Sequence, residues 1–166
     1  MLQPVTSLSE DQLTQLVEMN LANVPAVNAI DADEFRGFLS QAELFGLVEQ
    51  DKNLAGFIIA LGPGHTYESL NYQYFNRNFS GFLYVDRIVI GEQYRRLGLG
   101  RKIYQALEQL AAVQNVPHLC CEVNLRPSNI GSMLFHTELG FEQVASQETE
   151  GGKKEVALLV KTLEIN

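Results

Sequence analysis

Apolar and polar positions alternate along this chain with two different periods, and these periods predict its helices and strands. Apolar residues spaced three and four apart predict helices over residues 8–21, 31–39, 99–114 and 129–140. Runs rich in β-branched and aromatic residues predict strands over residues 44–49, 54–61, 82–90, 118–125, 141–146 and 154–163. Residues 65–79 have no clear period but are rich in aromatic side chains, so we interpret them as a long loop that forms a lid, a pocket wall or a cover for the sheet edge.

One stretch joins a predicted strand to a predicted helix and carries an unusual charge pattern. Strand 82–90 is followed by Arg95, Gly98 and Gly100, which predict a loop with accessible backbone amides at a helix N-terminus. Four basic residues lie at this helix start, where the helix dipole disfavours cations: Arg95, Arg96, Arg101 and Lys102. The pattern favours a bound anion such as a phosphate or diphosphate, and the alternative is a solvated basic rim.

Composition narrows the classes of function. The chain has 166 residues, of which 46% are hydrophobic, and a net charge of −8, so we expect a single globular domain over residues 1–166. The acidic balance argues against a nucleic-acid partner and is compatible with a cationic substrate. No apolar run is long enough for a membrane span and no secretory signal is visible, so we expect no membrane partner and a cytoplasmic location. The adjacent Cys120 and Cys121 are expected to be buried, reduced thiols rather than metal ligands, and no metal is predicted.

The loop resembles the acyl-CoA-binding motif of the GCN5-related N-acetyltransferase (GNAT) superfamily. That motif has Arg or Gln, two residues, Gly, one residue, and Gly or Ala, and here it reads Arg95-Arg96-Leu97-Gly98-Leu99-Gly100. A second stretch, from Asn129 through Ser132 and His136 to Gly140-Phe141, is similar to the other signature of the superfamily. The dinucleotide-binding fingerprint fits less well because Ile103 stands where a third glycine is needed. The resemblance extends over about residues 44–162.

The resemblance implies an α/β fold with a mixed, mostly antiparallel and splayed sheet of six to seven strands, flanked by about four helices. It also implies acetyl-CoA as co-substrate, without a metal. The loop amides would bind the diphosphate and the strand before the loop would pair with the pantetheine, while an asparagine and a serine would contact CoA from the second motif. The cofactor-binding residues predicted in this way are Ile88, Val89, Ile90, Arg95, Arg96, Leu97, Gly98, Leu99, Gly100, Arg101, Asn129 and Ser132.

The chemistry of acetyl transfer to an amine requires removal of a proton from the ammonium form. Tyr84 and Asp86 share one strand face. Asp86 is our first candidate for the general base. Its alternatives are a structural role or binding of the substrate ammonium. His136 stands where the superfamily commonly has a tyrosine that protonates the departing thiolate. It is predicted as that acid, with a structural histidine as the alternative; Tyr84, Tyr104 or solvent are the substitute donors.

The acceptor is predicted to be a primary amine of a small molecule or peptide. Asn28, Tyr67, Asn71 and Tyr72 are weaker candidates for contacting it. The chain is therefore predicted to be an N-acetyltransferase that works by direct attack. The alternatives are a transferase for another acyl-CoA, a CoA-binding sensor without turnover, and a binding protein for an unrelated phosphate ligand. Edge strands near the C-terminus make a homodimer possible.

Overall fold

The computed structural model of the protein describes residues 2–164, which form five α-helices and seven strands. The helices are α1 (Glu10–Leu21), α2 (Ala32–Gln41), α3 (Leu70–Asn78), α4 (Leu99–Gln114) and α5 (Ile130–Glu138). The strands are β1 (Leu2–Pro4), β2 (Leu44–Gln50), β3 (Asn53–Leu61), β4 (Leu83–Ile90), β5 (His118–Arg126), β6 (Glu142–Thr149) and β7 (Lys154–Thr162). None of the described helices has the length and apolarity that crossing a bilayer requires.

The strands form a sheet in the order β1-β2-β3-β4-β5-β7-β6. The pairs β1–β2, β2–β3, β5–β7 and β6–β7 are antiparallel, whereas β4 and β5 are parallel. The described register between β4 and β5 joins Leu83 to Leu119 and Tyr84 to Cys120. This sheet and its helices confirm the predicted mixed, mostly antiparallel α/β fold.

The chain divides into two compact units. The first comprises the chain up to Leu61 together with Arg87–Leu107, and the second comprises Gly62–Asp86 and the chain from Glu108 onward. In the first unit Phe35 of α2 packs against Phe45 and Phe57 of β2 and β3. In the second unit Tyr72 packs its ring against those of Phe82 and Tyr84, and these side chains are fully buried.

Helix starts follow the capping signals of the sequence. Ser9 caps α1 and forms a capping box with Gln12, and Asp31 does the same for α2 with Glu34. Each box satisfies backbone amides that have no partner inside the helix. The two helices begin at Glu10 and Ala32, within two residues of their predicted starts.

The prediction of a loop over residues 65–79 is wrong for its second half, which forms α3. The Ser69 hydroxyl accepts a hydrogen bond from the Tyr72 amide at 3.3 Å and so caps this helix. Tyr72 and Phe75, three residues apart, are both buried. Burial of two large rings stabilises a short helix in which most other positions are polar, and this explains why its amphipathic pattern is weak.

Candidate functional site

The loop between β4 and α4 belongs to the first unit and is exposed from Arg95 to Gly98. Two of its residues have left-handed backbone conformations, Arg96 with φ of 62° and Gly98 with φ of 76°. A Cβ placed on Gly98 would meet no atom within 4 Å, so open space surrounds this position. The glycine is therefore required by the backbone conformation and not by crowding.

Helix α4 begins directly after this loop, and the Gly98 carbonyl accepts the hydrogen bond of the Lys102 amide at 3.1 Å. The amides of a first helical turn have no acceptor within the helix and carry the positive end of its dipole. Arg96, Arg101 and Lys102 are exposed around this helix start, whereas Leu99 is buried beneath it. Cationic side chains thus surround a helix N-terminus, and this arrangement suits an anion.

Arg95 is held by two hydrogen bonds within the first unit. Its guanidinium donates to Oδ1 of Asn23 at 2.8 Å and to the Ile90 carbonyl at 3.3 Å. Asn23 lies in the turn after α1, and sequence reasoning missed it. Asn23 is a polar residue in a proline-containing turn, and no local sequence pattern indicates that its side chain contacts Arg95.

The end of β4, from Ile88 to Ile90, approaches β3 closely on one side. The Gly91 amide donates to the Ala55 carbonyl at 2.9 Å. A Cβ on Gly56 would lie 2.5 Å from the Val89 carbonyl oxygen. Val89 is buried, whereas Ile88 and Ile90 are partly exposed. The glycine at 56 therefore allows a backbone approach that no other residue permits without displacement.

Asp86 and Tyr67, both in the second unit, are brought together. The Tyr67 hydroxyl donates to Oδ1 of Asp86 at 2.7 Å. Asp86 is partly exposed and lies in β4. The hydrogen bond fixes the carboxylate orientation and ties the segment before α3 to this strand.

Tyr84 is fully buried, and its hydroxyl lies beside the Glu122 carboxylate without forming a well-aligned hydrogen bond to it. Burial raises the pKa of Tyr84 well above its usual value, and the nearby carboxylates of Glu122 and Asp86 raise it further. The hydroxyl is therefore protonated throughout the physiological range. A weak acid of this kind is poorly suited to give up its proton.

Asn129, Ser132 and His136 form a connected group in the second unit. The Asn129 side chain caps α5 by accepting from the Ser132 amide at 3.2 Å. His136 is buried, and its Nδ1 lies 2.8 Å from the Ser132 carbonyl oxygen. Because a carbonyl only accepts, Nδ1 carries the proton in this contact and the other ring nitrogen is the acceptor of a neutral imidazole. Burial lowers the pKa of His136, and the bond to Ser132 opposes that shift in part.

The residues predicted to contact the acceptor occupy different environments. Tyr72 is fully buried, and its hydroxyl donates to the Gly62 carbonyl and accepts from the His65 amide, both at 2.9 Å. Asn71 is partly exposed and accepts from Nε2 of Gln147 at 2.9 Å.

Asn28, in the first unit, is the fourth of these residues, and it is exposed. Its carbonyl accepts from the side chains of Asn20 and Arg87, at 2.9 and 3.2 Å. Because Tyr72 is buried, it is not accessible to an acceptor. Of the four residues predicted to contact the acceptor, Tyr67, Asn71 and Asn28 are the ones that are at least partly exposed.

Glu122 is a further residue that sequence reasoning did not include in the site. It is partly exposed and lies in β5 between the buried Cys121 and Val123. A charged residue inside an otherwise apolar strand was the available signal. Cys120 and Cys121 are both buried, as the sequence predicted.

Known structures share this fold over nearly the whole chain. The ribosomal-protein-S18-alanine N-acetyltransferase from Escherichia coli is 19% identical with a TM-score of 0.71, and the match covers 100% of this chain and 96% of that one. Naa20 from Chaetomium thermophilum, in complex with a bisubstrate analogue, is 14% identical with a TM-score of 0.75 over 98% and 86% of the two chains.

An aminoglycoside 6'-N-acetyltransferase complexed with coenzyme A is 14% identical with a TM-score of 0.74, over 98% and 96% of the chains. A comparison with curated protein sequences finds no match at the significance required. A family model described as the acetyltransferase (GNAT) family matches residues 11–141. The chain therefore belongs to the GNAT family of acetyltransferases, as the two sequence motifs predicted.

Proposed function

We propose that this protein transfers the acetyl group of acetyl-CoA to the primary amine of a small molecule or peptide. The observation that carries the proposal is the exposed loop Arg95-Arg96-Leu97-Gly98 at the N-terminus of α4, in a chain of the acetyltransferase family. A related fold complexed with coenzyme A supports the choice of co-substrate. Acetyl-CoA supplies the acetyl group, and coenzyme A leaves as the free thiol.

The residues of the first unit fit the diphosphate of CoA. Gly98 keeps the backbone open, and the amides from Arg95 to Arg101 include those of the first turn of α4. Anions bind at such helix starts because the amides and the dipole both favour negative charge. We assign the pantetheine arm to the backbone groups of Ile88, Val89 and Ile90.

Asp86 is our proposed general base. An amine reaches an enzyme as an ammonium ion, and it must lose one proton before its lone pair attacks the thioester carbon. A carboxylate accepts that proton directly or through water. The partial exposure of Asp86 and its 2.7 Å bond from Tyr67 support this role, since the group is both reachable and oriented.

The departing thiolate needs little help, because thiols ionise at a pKa of roughly 8.5. We retain His136 as the proposed proton donor and Tyr84 as its substitute. The pKa of each residue is shifted in the direction that makes proton donation less favourable. His136 must first become protonated, which its burial opposes. Tyr84 has a raised pKa. If neither acts, solvent protonates the thiolate.

Two of the proteins with a similar structure suggest the range of acceptors, since one is named for acting on a ribosomal protein and the other on an aminoglycoside. For this chain we propose an amine contacted by Tyr67, Asn71 and Asn28, while Asn129 and Ser132 contact CoA. We further propose one functional domain over residues 1–166 and a cytoplasmic location. The buried thiols of Cys120 and Cys121 are compatible with a reducing compartment.

A thiol-release assay with acetyl-CoA and a panel of amines tests the proposal. We expect Asp86→Asn to lower the rate by roughly 10²-fold or more, as loss of a general base does. Asp51→Asn, in the turn between β2 and β3, is the control and should keep the wild-type rate. His136→Phe should also lower the rate while acetyl-CoA affinity is maintained. A wild-type rate in either site variant removes that residue from the mechanism, and tight acetyl-CoA binding without any turnover supports the sensor alternative.

A further inference from the structure

We propose that Asn23 is a positioning residue for the co-substrate: its side-chain amide holds the Arg95 guanidinium at the loop assigned to the diphosphate of acetyl-CoA, without reducing the positive charge of that guanidinium. This inference rests on the proposed function and extends it to a residue outside the two sequence motifs. Asn23, Arg95 and the start of α4 all belong to the first unit.

The turn that carries Asn23 is anchored to β4 by a buried polar network. Asn20 is fully buried, and its side chain donates to the Asn28 carbonyl and accepts from Arg87, both at 2.9 Å. Arg87 lies in β4, is itself buried, and donates to the same Asn28 carbonyl at 3.2 Å. Buried hydrogen-bond networks restrict the geometry of the groups they join. Both ends of the turn are therefore held to one strand, and Asn23 lies between them.

The Asn23 side chain has one orientation, because its two polar atoms have different partners. Its Nδ2 atom lies 2.8 Å from the Met19 carbonyl oxygen, which can only accept a hydrogen bond. Nδ2 is therefore the donor to Met19, and Oδ1 accepts from the Arg95 guanidinium at 2.8 Å. Asn23 is partly buried, whereas Arg95 is exposed. A partly buried amide in an anchored turn thus orients a long, exposed side chain that has many rotamers of its own.

The acceptors of Arg95 are neutral, and this matters for a site that binds an anion. Arginine has five N–H donors, and the bonds to Asn23 and to the Ile90 carbonyl use two of them, so three are left for a ligand. An amide and a carbonyl leave the charge of the guanidinium uncompensated. A carboxylate at position 23 would instead form an ion pair with Arg95 and compete with the diphosphate. Orientation without loss of charge suits anion binding in a chain whose net charge is −8.

Calorimetric titration of acetyl-CoA into the full chain tests this inference without any need for turnover. Asn23→Ala removes the acceptor, so Arg95 must be ordered by the ligand itself, and we expect acetyl-CoA to bind about threefold more weakly. Asn23→Asp has the same shape but places a negative charge beside Arg95, and we expect binding to weaken about tenfold or more. The loss in Asn23→Asp should shrink as ionic strength rises, because salt screens exposed charges.

A double-mutant cycle separates positioning of Arg95 from a merely structural role. If Asn23 acts through Arg95, then Asn23→Ala should have no further effect on acetyl-CoA affinity in a chain that already carries Arg95→Met. A structural role of Asn23 would lower the affinity by the same factor in both backgrounds.

Asn78 of α3 provides a matched control. Its Nδ2 atom also donates to the carbonyl four residues earlier, that of Tyr74 at 2.7 Å. Asn78→Ala and Asn78→Asp make the same chemical changes as the two Asn23 variants and should leave acetyl-CoA affinity unchanged. Thermal unfolding of all the variants checks that each remains folded.

Unchanged or tighter binding of acetyl-CoA by both Asn23 variants would overturn the inference. So would a loss in Asn23→Ala that persists in full beside Arg95→Met, or an equal loss in the Asn78 variants. These outcomes differ from failure of the proposed function, which is the absence of acetyl-CoA binding or of thiol release in the wild-type protein. A wild-type protein that does not bind acetyl-CoA contradicts both proposals, whereas wild-type affinity in the Asn23 variants contradicts this inference alone.

Discussion

Two buried tyrosines of the second unit differ in how well their hydroxyls are hydrogen-bonded. Tyr72 uses its hydroxyl twice, as donor to Gly62 and as acceptor from His65. Tyr84 packs its ring against that of Tyr72, and its hydroxyl lies beside the Glu122 carboxylate without a well-aligned hydrogen bond.

The same substitution at these two positions should therefore change stability differently. Tyr72→Phe removes two hydrogen bonds and should lower the free energy of unfolding by about 1–2 kcal/mol. Tyr84→Phe removes a hydroxyl whose contact with the Glu122 carboxylate is poorly aligned, and it should lower the free energy of unfolding by less than about 1 kcal/mol. Urea denaturation of both variants measures these values. Equal losses in the two variants would show that the Tyr84 hydroxyl is hydrogen-bonded in the folded protein.

His136 makes stability depend on pH in a defined direction. Burial lowers its pKa below 6.5, so the unfolded chain binds a proton there more readily than the folded one. The contribution of His136 to stability is complete above pH 6.5 and is lost as pH falls from 6.5 through the folded pKa.

We therefore expect wild-type protein to lose unfolding free energy faster than His136→Asn between pH 7.5 and 5. Asparagine is chosen because its amide can still donate toward the Ser132 carbonyl. The other titrating groups are common to both proteins and cancel in the difference. Parallel stability curves for the two proteins would contradict the lowered pKa.

At the scale of elements, the contact between β3 and the end of β4 positions the strand that leads into the loop. Gly56 permits this approach, because any side chain there meets the Val89 carbonyl and the Ile90 side chain. Ile90 in turn accepts the hydrogen bond from Arg95. The position of the loop thus depends on the close packing of the β3 backbone at Gly56 against the end of β4.

Two glycine-to-alanine substitutions test this contact. Gly56→Ala places a Cβ 2.5 Å from the Val89 oxygen and should destabilise the fold by about 1–3 kcal/mol, as overpacking does. Gly37→Ala in α2 meets no atom within 4 Å and should stabilise it by about 0.5–1 kcal/mol through helix propensity. Thermal unfolding of both variants provides the comparison. A neutral Gly56→Ala would mean that the strands are farther apart.

The sequence predicted most elements because their signals are local. Apolar residues three and four apart marked α1 and α2, and runs of β-branched residues marked the strands. Helix α3 was missed because its buried face consists of only Tyr72 and Phe75 among polar residues. The loop after β4 was predictable because its glycines and arginines are adjacent. Glu122 was not, because its position beside Tyr84 depends on a parallel register that no local pattern specifies.

At the scale of the whole molecule, the distribution of charge distinguishes the loop from the rest of the chain. The protein carries a net charge of −8 and has only 12 lysines and arginines, yet four of these lie between positions 95 and 102. Overall charge therefore repels an anionic co-substrate, and binding has to come from local contacts at this loop. Family membership and the exposed loop together make acetyl-CoA the ligand to test.

Calorimetric titration of acetyl-CoA into wild type, Gly98→Glu and Gly64→Glu tests the central claim most directly. Both glycines have positive φ, 76° and 88°, and at neither would a Cβ meet an atom within 4 Å, so the two substitutions impose similar backbone strain. Only Gly98 lies in the loop assigned to the diphosphate. We predict that Gly98→Glu weakens binding at least about tenfold, or about 1.4 kcal/mol, while Gly64→Glu binds like wild type. Equal affinities in all three proteins would contradict the assignment of this loop to CoA.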